Sequence, residues 1–556
     1  LKYQTLIETV FKDIQREPRG NQVEIVNQVL TEFFDNDKQN VVLNAPTGIG
    51  KSILGAVIAG CVESLSEQTN GLSSIILMGT NGLAKQYSES FDHLDHHKFF
   101  QIKGASNYPC AFMEAQPSAT STTGEECCKP LLHEMEVSKY CRGCEFDHAK
   151  KMVNKTANLI TNFSYFLTAS LNSGHLEPRT LHIFDEAHTF NDAYTSFTEI
   201  LITSELLGKY VSELSNVNDR CNEEAAALAM LKQKLENNEV HESSYEQIIN
   251  VLMKIYESAA STLTSQSSLI AGHDKVLAMK YAKMAKKYEN NYQRIKFLIE
   301  GEYEHVFDNT APNCAAIKTI FVSDSIEACL GKKNLFMSAT ITENIAWNII
   351  GLDRENSAFI MLDPVFPPEN KPIFFIGKHS LNFNTLKDPE VLNNLKTSVQ
   401  KISERYPDSK GLLIAPSFYL GSVVAKNVKG VRLFEHVSGG KKLPELIKEF
   451  KAYKGGALLV SPSIWEGFDI AESDYQILLK APYASLGDKR IKYICDNYPI
   501  VYQEMTLLKI LQGIGRSVRS PTDRADTYML DAGIEKLFNS KSNLWKNHYK
   551  VLSKGK

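Results

Sequence analysis

Ala45-Pro46-Thr47-Gly48-Ile49-Gly50-Lys51-Ser52 is the stretch that decides the fold of this chain. It follows the apolar run Val41-Val42-Leu43 and opens onto Ile53, Leu54, Val57 and Ile58, which are spaced for the buried side of a helix. Strand, glycine-bearing turn and helix N-terminus in succession make a phosphate-binding loop. Small residues let consecutive backbone N–H groups converge on an anion, and the helix end adds partial positive charge. In this loop Lys51 is expected to reach the β- and γ-phosphates of ATP. Thr47, Gly48 and Gly50 form the cradle, and the Ser52 hydroxyl holds Mg2+. Ala45 stands where the usual pattern has glycine, so the motif is a variant.

Working outward, Gln22 carries an amide that both donates and accepts, which matches the N7/N6 edge of adenine; a solvated surface glutamine reads equally well. Downstream, the strand Ser74–Met78 runs into Gly79-Thr80-Asn81-Gly82 at the start of a helix. That turn suits contact with a phosphodiester, or is simply a capped turn. The strand Leu181-His182-Ile183-Phe184 ends in Asp185-Glu186-Ala187-His188. Beside a phosphate loop, Asp185 is the Mg2+ carboxylate and Glu186 the base that orients and deprotonates water. Ser338-Ala339-Thr340 closes another strand, and its hydroxyls are expected to hydrogen-bond those carboxylates. A second α/β unit starts near Phe366-Pro367-Pro368-Glu369-Asn370. Its strands Gly411–Ala415 and Ala457–Val460 lead to Ser463-Ile464-Trp465-Glu466-Gly467-Phe468-Asp469. Gln512, Arg516 and Arg519 stand at i, i+4 and i+7, so one helical stripe is expected to present an amide and two guanidiniums. Such arginines stabilise charge developing on a γ-phosphate.

Between Lys103 and His148 the alternation of strands and helices stops and half of the ten cysteines gather: Cys110, Cys127, Cys128, Cys141 and Cys144. Four thiolates drawn from these five suit tetrahedral zinc or an iron–sulfur cluster, and the spacing leaves both open. Cys61, Cys221, Cys314, Cys329 and Cys495 are isolated and are expected to be buried thiols. From Phe197 to Val306 the apolar residues fall at helical spacing. Within that stretch Lys275, Lys280, Lys283, Lys286, Lys287, Arg294 and Lys296 face one acid, Glu289, which fits either a solvated face or phosphate contact. Tyr108, Phe163 and Tyr165 are candidates to stack on bases or to fill a core.

The chain's 556 residues exceed what one core holds, so several domains are expected. Hydrophobic content of 43% and charged content of 23% are those of a globular protein. A net charge of −4 does not favour nucleic acid, although a balanced total can hide a local basic groove. No apolar run approaches the roughly 20 residues of a membrane span. Leu1-Lys2-Tyr3-Gln4 does not resemble a secretory signal, so a cytoplasmic protein with reduced thiols, nucleoid-associated if cellular, is expected.

Taken in order, APTGIGKS, FDEAH, MSAT, SIWEGFDI and QGIGRSVR are similar to the motifs of superfamily 2 helicases. The stretch Lys103–Cys110, the cysteine cluster, Val365–Asn370 and the W-E-G-F-D form resemble the XPD/DinG iron–sulfur helicases, and the resemblance runs from Gln22 to Asp531. It implies an α/β fold: two RecA-like parallel-sheet motor domains, an inserted Cys-rich iron–sulfur domain and an inserted all-helical Arch domain. The expected limits are 1–102, 149–196 and 307–345 for motor domain 1, with the iron–sulfur domain at 103–148. The Arch takes 197–306 and motor domain 2 takes 346–556. The resemblance also implies ATP, Mg2+ and a 4Fe-4S cluster on four of the five clustered cysteines, with zinc as the alternative metal. It adds Gly467 and Asp469 to the nucleotide-binding set. Family members translocate 5′→3′ on single-stranded DNA and unwind duplexes, so single-stranded and forked DNA are the expected partners of a monomer with no membrane attachment. Two other readings are a DNA-stimulated translocase that remodels without processive unwinding, and a zinc-stabilised nucleic-acid-binding scaffold with a vestigial ATPase.

Overall fold

A computed structural model describes residues 1–65, 72–91, 97–109, 144–172, 174–301, 304–426, 428–465, 470, 473–515, 517, 518 and 520–552. Its strands, in chain order, are β1 (Asn40–Asn44), β2 (Ser74–Met78), β3 (Phe99–Gln101), β4 (Asn158–Asn162), β5 (Leu181–Asp185) and β6 (Ile200–Thr203). Then come β7 (His305–Asp308), β8 (Cys314–Thr319), β9 (Lys333–Ser338), β10 (Ser357–Met361), β11 (Pro372–Phe375) and β12 (Lys410–Ile414). The last five are β13 (Arg432–Glu435), β14 (Ala457–Ser461), β15 (Tyr475–Leu478), β16 (Asp526–Met529) and β17 (Lys550–Leu552).

Among the described residues, β1 to β10 form two of three sheets and β11 to β17 form the third. The first sheet is seven-stranded and parallel, in the order β10-β1-β9-β5-β2-β4-β3. Its strands read as continuous apolar runs because helices cover both faces. Successive side chains go to opposite sides. Leu43, Ile76, Ile183 and Met337 enter the core under the helices Gln22–Phe34 and Lys51–Leu65. Val42, Leu77, Phe184 and Phe336 enter the core on the other face, where Phe184 and Phe336 stack with ring centroids 4.4 Å apart. The second sheet is also seven-stranded and parallel, in the order β13-β14-β12-β15-β16-β11-β17. Strands β1, β5 and β9 end side by side at one edge of the first sheet, and ligands of open α/β sheets bind beyond such carboxyl ends.

Between β6 and β7 lie four main helices, Ser204–Ser215, Asn222–Glu236, Tyr245–Ile270 and Lys275–Glu300, which share one core. The strands β6, β8 and β7 close their base as a three-stranded antiparallel sheet. These strands are too short to leave a periodic signal in the sequence. Two cations of the basic helix are used internally. Lys287 sits 2.6 Å from Glu213 and over the Tyr210 ring, and Arg294 donates to the carbonyls of Phe197 and Glu199. Lys280, Lys283 and Lys286 remain exposed.

Cys61, Cys221 and Cys329 are buried as expected, whereas Cys314 and Cys495 are only partly covered. Cys314 is the first residue of β8, at the end of the small antiparallel sheet, and Cys495 lies near the end of the helix Lys489–Asn497, where an isolated thiol gains little burial. Of the cysteine cluster, Cys144 precedes the helix Glu145–Val153, and Cys110, Cys127, Cys128 and Cys141 lie outside the described residues. No helix among the described residues is long and apolar enough to cross a membrane.

Candidate nucleotide site

The loop after β1 has the backbone that an anion cradle needs. Gly48 and Gly50 have φ of +93° and +86°, in the left-handed region that glycine enters without strain. Neither position has room for a side chain. A Cβ on Gly48 would lie 2.4 Å from the Phe366 ring, and one on Gly50 would lie 2.7 Å from Gln22 Nε2. The Gly50 carbonyl accepts from the N–H groups of Ile53 and Leu54, which starts the helix Lys51–Leu65 directly under the loop. Ala45 is fully buried and its N–H donates to the Ser338 carbonyl at 2.9 Å, so a small apolar side chain serves where the usual motif has glycine.

Gln22 lies behind this loop. It is 2% exposed; its Nε2 donates to the Ile49 carbonyl at 2.8 Å and its Oε1 accepts from the Arg19 N–H at 2.9 Å. In this structure the amide props the loop backbone and is buried, so it is not the solvated surface glutamine that the sequence also allowed.

The acidic pair arrives from β5. Asp185 ends the strand, and Glu186 follows at φ +51°, with its N–H donating to Asp185 Oδ1 at 3.0 Å. That left-handed residue turns the Glu186 carboxylate toward Lys51 Nζ, 3.2 Å away. A non-glycine residue held there is strained, and such strain collects at functional positions. Burial, and then the neighbouring Glu186 charge, push the Asp185 carboxyl above its ordinary range, while Lys51 pulls it back. A bound cation would relieve the same repulsion, which is the physical reason two adjacent carboxylates suit Mg2+. Tyr87 donates its hydroxyl to the Ser52 carbonyl at 2.6 Å, fixing the first helical turn while the Ser52 side chain stays exposed at the mouth.

His188 is the residue that sequence reasoning missed. Its Nδ1 lies 2.8 Å from Ser338 Oγ, its Nε2 lies 2.6 Å from Gln512 Nε2, and Glu186 Oε2 is 3.5 Å from Nδ1. With the Gln512 amide as donor, His188 carries its proton on Nδ1 and donates to Ser338. The Ser338 hydroxyl also accepts from the Thr340 N–H at 3.0 Å. The strand-end hydroxyls were expected to bond the carboxylates directly; the imidazole stands between them. Its signal was its place two residues after Glu186, in a segment read only for its acids. A similar pairing ends β14 in the second sheet, where His436 Nδ1 lies 2.9 Å from Ser461 Oγ and the Ser463 N–H donates to that same oxygen.

Gln512 lies in the last turn of the helix Pro499–Ile514, which ends before Arg516. Gly515 caps it, and Ser517 beyond the cap is held by Ser473 and Gln476. The single stripe expected over 512–519 is thus not formed, because the helix stops two residues after Gln512. Arg516, Arg519, Gly467 and Asp469 lie outside the described residues. Val518, between the two arginines in sequence, packs with Phe366 and Ala525, and the Phe366 ring is the one that covers Gly48.

Phe163 is 1% exposed and packs on Phe184 and Phe190, and Tyr165 is buried with its hydroxyl 2.9 Å from His175 Nε2. Both are core residues here and do not offer a face to a base. Tyr108 is partly exposed, its ring against Phe146 and its hydroxyl accepting from the Lys103 N–H. Thr80 is exposed and accepts from the Leu83 N–H, beside a cavity of ≈ 470 Å³ that Gly79, Ser164, Thr168 and Thr189 help to line.

Residues 400–548 match the family of the helicase C-terminal domain, and residues 15–210 match that of the type III restriction enzyme res subunit. No curated protein matches the chain. Among solved structures, an XPD helicase superposes with a TM-score of 0.63 at 14% identity, over 97% of this chain and 100% of that one. Xpd4 of S. tokodaii gives 0.61 at 14% identity, over 96% and 100%. An apo XPD structure gives 0.57 at 13%, over 95% and 100%.

The fold is that of the XPD helicases. The two family matches fall one on each sheet, the restriction-enzyme res-subunit family over the first and the helicase C-terminal family over the second. In the XPD-type frame the two parallel sheets are the RecA-like motor domains. The Lys51–Glu186 site lies at the edge of the first, where Gln512 of the second reaches it.

Proposed function

We propose that this chain is a DNA helicase that hydrolyses ATP between its two motor domains, moves 5′→3′ along single-stranded DNA and unwinds duplexes. One observation carries the reading: Gln512 of the second domain meets His188 of the first, beside the Lys51–Glu186 pair. A residue that touches both the second lobe and the catalytic acid's neighbourhood can convert nucleotide occupancy into relative motion of the lobes.

The reading gives each residue a role. Thr47, Gly48, Gly50 and Lys51 bind the phosphates, Ser52 and Asp185 hold Mg2+, and Glu186 takes the proton of the attacking water. Gln22 supports the loop, Gln512 reads the site through His188, and Arg516 and Arg519 are assigned to the γ-phosphate. Gly467 and Asp469 complete the nucleotide set from the second domain. Thr80 and Ser463, both exposed just past strand ends, take the DNA backbone in this reading, which would give tolerance of sequence. A 4Fe-4S cluster on four of Cys110, Cys127, Cys128, Cys141 and Cys144 is part of the proposal, as is the division into motor, iron–sulfur (103–148) and Arch (197–306) domains. The cluster would supply a rigid lobe rather than electron transfer. Cytoplasmic location and a monomeric state complete the proposal.

The test is an anaerobic preparation assayed on 5′- and 3′-tailed duplexes, with iron and inorganic sulfide measured on the same sample. Unwinding of the 5′-tailed substrate by a brown, iron-containing protein is expected. Preference for the 3′ tail would overturn the polarity. Zinc in a colourless protein would overturn the cluster, and displacement of streptavidin without strand separation would overturn the helicase in favour of a translocase.

A further inference from the structure

The helix Pro499–Ile514 belongs to the second motor domain but packs in two cores. Leu507, Ile510 and Ile514 enter the core of the second sheet, while Val501 and Leu508 enter the core built on Phe184 and Phe336 of the first. Glu504 is buried on this helix, 4% exposed. Its Oε2 accepts from the Thr342 hydroxyl at 2.9 Å and its Oε1 accepts from Asn344 Nδ2 at 2.8 Å, both from the first domain. Lys541 Nζ, from the second domain, lies 3.5 Å from Oε1. A carboxylate taken out of water must be answered by donors and a countercharge. Here the countercharge comes from its own domain and two of the donors come from across the interface.

These contacts close a ring. His188 binds Ser338; Thr340 and Thr342 follow along the chain; Thr342 binds Glu504; and the helix returns through Gln512 to His188. Glu504 and Gln512 are eight residues apart, about 12 Å along a helix axis. A helix held at one point can swing in any direction, whereas one held at two can only roll about the line joining them. The Gln512 end meets His188 beside the Lys51–Glu186 pair. The Glu504 end is buried and charge-assisted, and its partners Thr342, Asn344 and Lys541 are not residues of the Lys51–Glu186 site.

We propose that Glu504 is a positioning residue for the motor, a fixed pivot that keeps the two domains in register so that rearrangement at His188 reaches the second domain as rotation rather than separation. The proposal rests on the reading of the Lys51–Glu186 site as the ATP site.

The test uses the full chain carrying T342V and N344A together, which removes both cross-domain donors and leaves Glu504 with Lys541. Because Thr342 also accepts from the Ile345 N–H at 3.2 Å, T342S serves as the conservative control that keeps both hydrogen bonds. Donor and acceptor dyes are placed through unnatural amino acids at the exposed Lys12 and Phe383, and the readouts are energy transfer on adding a non-hydrolysable ATP analogue with Mg2+, affinity for a fluorescent ATP, and strand separation. The double variant is expected to bind nucleotide within about twofold of the parent, to lose most of the transfer change, and to separate strands about tenfold more slowly, with T342S like the parent. A full transfer change with parental strand separation in the double variant would overturn the pivot. Failure of the parent chain to bind the fluorescent ATP would overturn the ATP-site reading itself, and the pivot with it.

Discussion

Gln512 Nε2 lies 2.6 Å from His188 Nε2, a hydrogen bond that joins the two motor domains at the one imidazole that also touches Ser338 and Glu186. Three elements far apart in sequence therefore share one small, rigid ring. His188→Ala should leave nucleotide affinity within about threefold while lowering DNA-stimulated turnover by at least about tenfold, because it removes communication and not phosphate contacts. Steady-state ATPase with and without single-stranded DNA measures this, and unchanged stimulation would refute the role.

Lys51 Nζ and Glu186 Oε1 stand 3.2 Å apart, so each charge is partly offset by the other. Glu186→Gln is expected to keep ATP binding and lose about 10²–10⁴ in hydrolysis, as for removal of a general base. Arg519→Ala should lose about 10³–10⁵ in turnover with affinity largely intact. Lys51→Ala should lose nucleotide affinity as well. Single-turnover assays beside equilibrium binding separate the three.

Gly48 is closed to substitution on two counts, its φ of +93° and the Phe366 ring 2.4 Å from a built Cβ. Gly48→Ala should disorganise the loop at a cost of roughly 1–3 kcal/mol, the range for backbone strain at such positions, and should weaken ATP binding. Removing the ring as well, in Gly48→Ala/Phe366→Ala, makes space without relieving the backbone. The double variant is therefore expected to recover only part of the affinity. Full recovery in a nucleotide titration would show that the ring alone matters.

His97 ties the helix Gln4–Asp13 to the end of Lys51–Leu65, with Nδ1 2.7 Å from Glu63 and Nε2 3.6 Å from Asp13. The Glu63 hydrogen bond raises its pKa above 6.5, against the opposing effect of burial. Burial raises the Glu63 carboxyl, but the His97 and Asn158 hydrogen bonds outweigh it and leave that pKa below 4.5. The imidazolium contribution is fully present below about pH 6.5 and is lost as pH rises through the folded value. The carboxylate contribution is present above about pH 4.5 and is lost as pH falls through its folded value. Between these limits His97→Gln should cost about 1–2 kcal/mol of local stability, and less near pH 9. Hydrogen exchange of the Gln4–Asp13 amides at the two pH values measures the difference; equal losses would exclude the charge term.

Much of the motor was legible in the chain. Glycines that need positive φ, a lysine at a helix start and acids at a strand end are local requirements, written in residues that are neighbours in sequence. Parallel strands buried on both faces likewise announce themselves as apolar runs, so β1, β5, β9, β12 and β14 could be placed by reading alone. Less was legible where a role depends on what lies opposite. Phe163 and Tyr165 offer the same rings to a base or to a core, and only the packing of Phe184, Phe190 and His175 against them decided for the core. The helix carrying Gln512 has no breaker stronger than glycine before Arg516, so its end at Ile514 came from tertiary contacts of Ser517.

By itself, then, the order of residues determined the phosphate loop, its acids and the two-sheet architecture, since each rests on contacts spanning a few residues or on burial of a whole strand. The tertiary structure decided that Gln22 supports the loop, that His188 links two domains, and that Glu504 is answered by Thr342 and Asn344. Those assignments are hydrogen bonds between residues 27 to 324 positions apart, and a side chain's partner at such range is chosen by the fold, not by its neighbours.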